Sequence, residues 1–184
     1  MKSLLNKTYI SMVLVALAAC KKDTRPLENP PQNNAGEVIT SVVLEFTDSA
    51  AVLAPFTFAF RDTDGPGGNN PVEFDTISLP QNTTWNVNLL LLNESIAPAD
   101  TISNEVLEEA TDHIICYPVS GWNGSIVRTD SDGTFEIGLQ TKWKTMGIST
   151  GTVTVTLKHQ LGVKDGTCAP GETEAEINFI VRTQ

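Results

Sequence analysis

The 184-residue chain is poor in the side chains that most often carry chemistry, with two histidines and three cysteines. Lys and Arg together number 12 against 22 Asp and Glu, a formal net charge of −10. That acidity removes the electrostatic footprint that nucleic acid or anionic headgroups require, and leaves cations, basic surfaces and neutral molecules as partners. There is no Gly-x-Ser-x-Gly elbow and no His-Glu-x-x-His pair, and Cys116 has no basic neighbour to activate its thiol. The glycines after Asp64 lack the lysine of a phosphate-binding loop. These gaps predict a protein that is not an enzyme. Its first apolar run, Tyr9 to Ala19, is too short to span a bilayer.

What is present begins with that run. Lys2 and Lys7 precede it and Leu17-Ala18-Ala19-Cys20 ends it, the layout of a secretory signal. The last four residues resemble the lipobox of bacterial lipoproteins, and the resemblance implies acylation of Cys20 after cleavage of residues 1–19. Several acyl chains on one residue make a stable membrane anchor. Removing the leader leaves 184 − 19 = 165 residues and 12 − 2 = 10 basic against 22 acidic side chains, about −12 in charge. Lys21 and Lys22 follow the cysteine, which by analogy with Gram-negative sorting implies the outer membrane. Lys22-Asp23 is similar to a surface-export signal, and the membrane face stays open. Residues 20–35 then read as lipidated cysteine and tether, with three prolines and almost nothing apolar.

From residue 36 to 184 the apolar period is two, in short runs rich in Val, Ile, Thr and Phe and separated by Gly, Asp, Asn and Pro. Strands are expected near 37–47, 54–61, 72–79, 83–92, 113–119, 125–129, 134–140, 152–159 and 174–181. Nine strands at this spacing predict a mainly β domain: a single antiparallel β-sandwich, immunoglobulin-like, with one inserted α-helix. The helix is read in Asp100 to Tyr117, where Ile102, Val106, Leu107, Ala110 and Ile114 fall on one arc opposite Glu105, Glu108, Glu109 and Asp112. Leu89 to Leu92 is continuously apolar, and the helix at 102–113 is its expected cover.

On such a helix Glu109 and His113 stand one turn apart, within reach of one another. Imidazole with carboxylate suits zinc or copper, so Glu105, Glu109, His113 and the distant His159 form the candidate metal set. The competing expectations are a solvated acidic face with a last-turn histidine favoured by the helix dipole, and a His159 that caps a core edge by hydrogen bonding. Asp62-x-Asp64-Gly and Asp130-x-Asp132-Gly offer alternate carboxylates to calcium, but each lacks further EF-hand ligands and matches tight-turn chemistry, which is the favoured reading. Trp122, flanked by glycines, either stacks on a ligand or plugs the end of the sandwich. Cys116 and Cys168 either close a disulfide loop, remain as buried thiols, or supply a thiolate to a metal.

Across nearly the whole mature domain the chain resembles a family of small Bacteroidota envelope lipoproteins. The likeness is carried by Gly36-Glu37-Val38-Ile39-Thr40, Phe58-Ala59-Phe60-Arg61-Asp62, Leu91-Leu92-Asn93-Glu94, the acidic segment ending in His113, Ser149-Thr150-Gly151, Leu157-Lys158-His159-Gln160, Lys164-Asp165-Gly166 and Gly171-Glu172-Thr173. That family is labelled "type 1 periplasmic binding fold", a two-lobed α/β design that needs about twice this length and many more helices. The resemblance therefore implies a place beside TonB-dependent outer-membrane receptors: a non-enzymatic ligand-binding or accessory lipoprotein. The alternative is a structural or adhesive immunoglobulin-like module that binds protein or glycan through Trp122 and the Asp-Gly loops.

Overall fold

The structure, a computed structural model, describes residues 38–184 except residue 66. The signal, Cys20 and tether expectations lie outside the described residues. Eleven strands and one helix make up the rest: β1 Ser41–Asp48, β2 Phe56–Arg61, β3 Glu73–Phe74, β4 Ile77–Leu79, β5 Thr84–Leu92, α1 Ile102–Glu108, β6 His113–Cys116, β7 Val119–Ser120, β8 Gly124–Arg128, β9 Gln140–Thr145, β10 Ser149–His159 and β11 Glu172–Thr183. Six strands form one sheet in the order β3-β2-β1-β5-β9-β8, and five form the other, β4-β11-β10-β6 with β7 also on β10. The protein is thus mainly β, two sheets enclosing one core. All pairings are antiparallel except β4 with β11, which run parallel.

Period-two alternation builds the core. Trp85, Val87, Leu89 and Leu91 of β5, Val42, Leu44 and Phe46 of β1, and Val153, Val155 and Leu157 of β10 all point between the sheets. At its centre Phe46 meets Trp143 edge-on at 5.2 Å. Such pairs add about 1 kcal/mol beyond the area they bury.

Two strand expectations need correction. The run 72–79 is two strands in different sheets, because Asp75 turns the chain out of the first sheet: its carboxylate accepts from Ala59 N, and its own N–H donates to Ala59 O. Residues 134–139 form a loop, since Asp132 gathers the N–H groups of Thr134 and Phe135 and Asp130 those of Gly138 and Gln140. The strand lies further on, as β9, where Thr141, Trp143 and Thr145 are buried.

The helix is also shorter than its apolar period suggests. It ends at Glu108, and Ile114 belongs to β6. Only Ile102, Ser103 and Val106 of α1 are buried, while Leu107 is exposed, so the inward arc does not extend to Leu107. Its covering role differs in kind as well. Beyond Leu89 the edge of β5 runs past β9, and Ser103 Oγ accepts the Leu91 N–H at 2.6 Å in place of a strand. The helix continues the sheet edge and closes the core end, leaving Leu90 and Leu92 half-buried.

Candidate metal centre

His113 opens β6 and His159 ends β10, and the two are direct register partners. Opposed residues on one face of an antiparallel pair hold their side chains about 5 Å apart. The rings accordingly stack with centroids 4.9 Å apart and planes 14° from parallel. They share a face with Ile115 and Leu157, so both imidazoles sit at the end of the sandwich interior.

The third member comes from β11 by way of a β-bulge. Leu157 pairs with Ala175 and Lys158 with Thr173, which leaves Glu174 as the extra residue. Strict alternation from Ala175 would send Glu174 to solvent alongside Glu176. The bulge instead turns two consecutive residues inward, and both Glu174 and Ala175 are buried. Glu174 Oε2 lies 3.5 Å from His113 Nε2, and Glu174 Oε1 lies 3.5 Å from His159 Nδ1.

The proton on His113 follows from its other contact. Nδ1 is 3.2 Å from the carbonyl oxygen of Glu109. A carbonyl can only accept, so Nδ1 carries the hydrogen and Nε2 faces the Glu174 carboxylate. Fixing one ring nitrogen by a backbone carbonyl so that the other is presented to a cation is the usual outer-shell arrangement of metal-bound histidine. An N–H···O bond also prefers about 2.9 Å, shorter than either gap. Two donor atoms each about 2.1 Å from one tetrahedral ion stand about 3.4 Å apart, which matches the two 3.5 Å separations. All three donor atoms lie within 4.8 Å of one another. His113 and Glu174 are buried and His159 is about one-third exposed, so the group opens to solvent on the His159 side. Two imidazoles and a carboxylate with an open side suit zinc, copper(II) or iron(II).

The structure therefore brings together half of the sequence-derived metal set. His113 and His159 meet, whereas the carboxylates of Glu105 and Glu109 are exposed on or beside α1. Because the helix stops at Glu108, residues 109 and 113 never share a helical face, and Glu109 contributes its carbonyl instead. Glu174 was not among the sequence candidates, since only the bulge makes it an inward residue.

The remaining candidates have structural employment. Asp132 Oδ2 accepts from Lys164 Nζ at 2.7 Å, and Oδ1 from two backbone N–H groups. The lysine bond and then the Phe135 N–H pull its pKa down to about 2. Asp130 spends both oxygens on backbone N–H groups. Asp64 accepts from Asn69 N and Nδ2, and the first of these holds its pKa below the usual range, while Asp62 is buried nearby. Asp64, Asp130 and Asp132 are therefore turn-forming carboxylates. Trp122 is the plug: it is buried, its Nε1 donates to Thr183 Oγ1 at 2.8 Å, and a Cβ on Gly124 would fall 2.3 Å from its ring. It offers no face to a ligand. Cys116 and Cys168 are joined as a disulfide with Cα atoms 6.1 Å apart, so neither is a thiolate ligand.

The disulfide ties the loop at 160–171, which follows His159, to the end of β6. Gln160 Nε2 donates inside that loop to Thr167 O and Pro170 O, and Lys164 Nζ donates to Ala110 O. Tyr117, whose hydroxyl donates to Gly138 O, has its pKa raised by burial. No family model, curated protein or solved structure matches the chain.

Proposed function

We propose that this protein is a non-enzymatic envelope lipoprotein that binds one transition-metal ion, zinc or copper, through His113 Nε2, His159 Nδ1 and Glu174. The observation that carries the reading is the convergence of two imidazoles and one carboxylate, from three strands, at separations suited to a single ion. The orientation of His113 by a backbone carbonyl supports it. An acidic chain also concentrates cations around itself, which favours capture of a dilute ion.

The lipobox-like Leu17-Ala18-Ala19-Cys20 and the family resemblance extend this reading to a place in the outer membrane. There the protein passes its ion to a TonB-dependent receptor, or regulates one. The adhesive alternative loses Trp122, which is buried, and is left with the Asp-Gly loops as its contact surface. Zinc or copper titration of residues 20–184, monitored by calorimetry, tests the core of the proposal. One equivalent bound, and lost in the His113→Ala protein, is the expected result. Equal binding by both proteins removes these residues from the function, and pulldown from membranes without a stoichiometric receptor removes the partner.

A further inference from the structure

The three-residue group opens to solvent on the His159 side, and the strand residue paired with His159 there is a second glutamate whose carboxylate stands outside the group. Glu172 is the direct register partner of His159, on β11. Across that pair the bulge at Glu174 resets the alternation. Thr173 is turned outward, its Oγ1 3.3 Å from Lys158 Nζ, and this returns Glu172 to the face that carries His159. His113, His159 and Glu172 thus form one row across three strands, and Glu174 is added beside the row by the bulge. Glu172 is exposed, and His159 opposite it is about one-third exposed.

Its backbone is held from both sides. Gly171, immediately before it, has φ +80° and sits so close to β10 that a Cβ would fall 2.1 Å from His159 O. Gly171 O in turn accepts from Lys158 Nζ at 2.9 Å. A fixed backbone opposite His159 carrying a side chain with three rotatable bonds puts a second carboxylate within reach of the group. A tetrahedral ion bound by His113, His159 and Glu174 has one remaining position, and carboxylate oxygen is a ligand zinc accepts at about 2.1 Å.

Resting on the metal reading above, we infer that Glu172 is the fourth, mobile ligand: it closes over the ion from the solvent side and controls its release. The bound site is then two histidines and two glutamates, a hard oxygen-rich set that holds zinc or copper(II) and disfavours copper(I), which prefers sulfur donors.

The test compares the wild-type domain with Glu172→Gln and Glu174→Gln, loaded with cobalt(II) as a visible probe and with zinc for affinity. Glu172→Gln keeps the size and the hydrogen-bonding capacity of the strand partner, so a purely structural role leaves metal behaviour unchanged. The expected result is zinc affinity down by about tenfold or more, a faster release to a competing chelator, and a shifted cobalt d–d spectrum, with the thermal midpoint of the metal-free protein unchanged. A Glu172→Gln protein with wild-type affinity, release rate and spectrum overturns the inference while Glu174→Gln still reports the site. Failure of the wild-type domain to bind either ion overturns this inference and the proposed function together.

Discussion

His113 and His159 face one another across β6 and β10 with their rings stacked at 4.9 Å, each presenting one nitrogen to a different oxygen of Glu174. Two imidazolium ions at that distance would repel by about 3 kcal/mol at an effective dielectric constant of about 20. A single cation held at the ring edges by His113 Nε2, His159 Nδ1 and Glu174 would avoid that repulsion and neutralise the carboxylate as well.

Replacing any of the three ligands should weaken zinc binding far more than replacing the acidic helix side chains. His113→Ala, His159→Ala and Glu174→Gln are each expected to reduce affinity by at least about 100-fold, the upper end of what outer-shell changes alone produce. Glu105→Gln and Glu109→Gln, exposed and outside the group, should leave it within about twofold, an effect of screened surface charge only. Competition against a colour-forming chelator distinguishes the two sets. Affinity should also fall as pH is lowered, because protons compete for the same imidazole nitrogens.

The Lys164–Asp132 pair predicts a second pH effect, on stability and of known sign. Asp132 is held at about 2 in the folded protein, below its ordinary carboxylate value of about 3.9. A depressed pKa stabilises the fold at every pH above the unfolded value, and this contribution is lost as pH falls from about 4 towards 2. Lys164→Met should lower stability at neutral pH by about 1–2 kcal/mol, since Asp132 would lose its charged partner but keep the two backbone N–H groups of Thr134 and Phe135. It should also flatten the acid-side loss. Urea titrations at neutral pH and at about pH 3, for both proteins, measure the two slopes directly. Parallel slopes would show that Asp132 is not the titrating group.

Sequence pattern was a good guide wherever side-chain burial was decided within a strand. The alternation in β1, β5, β10 and β11 placed Phe46, Trp85, Val155 and Ile177 in the core, and the two-layer architecture follows from it. It failed where one hydrogen-bonding group redirected the backbone. Asp75 split an expected strand, the Asp130 and Asp132 carboxylates folded 134–139 into a loop, and the bulge at Glu174 reversed a face. The candidate site was half legible for the same reason. His113 and His159 stood out by scarcity, but their register depends on long-range pairing of β6 with β10. The Glu109 expectation rested on a helix reaching residue 113, and α1 ends at Glu108.

The Cys116–Cys168 disulfide should be a large contributor to stability. It closes a loop with a sequence separation of 52 residues. Chain-entropy reasoning puts the value of such a closure at about 4 kcal/mol. The Cys116→Ser/Cys168→Ser protein should therefore unfold at a clearly lower urea concentration than the oxidised wild type, and added dithiothreitol should bring the wild type to the same midpoint. A midpoint indifferent to reductant would mean that the Lys164 and Gln160 contacts alone hold the loop in place.

Trp122 offers a control that separates folding from binding. Its ring lies against Trp143 at 5.9 Å, and its Nε1 donates to Thr183 at the far end of β11 from Glu172 and Glu174. Truncation to alanine should cost about 3–5 kcal/mol, the usual penalty for emptying an aromatic site in a packed core. Part of that loss is specific to the hydrogen bond, so Trp122→Phe should recover most of the packing while leaving the Thr183 hydroxyl without its donor. Metal affinity measured well below the unfolding transition should be the same in Trp122→Phe as in the wild type. Residual glycan or protein binding that disappeared in Trp122→Phe without a change in fold would instead mean that the indole reaches a ligand, contrary to its burial beneath Gly124.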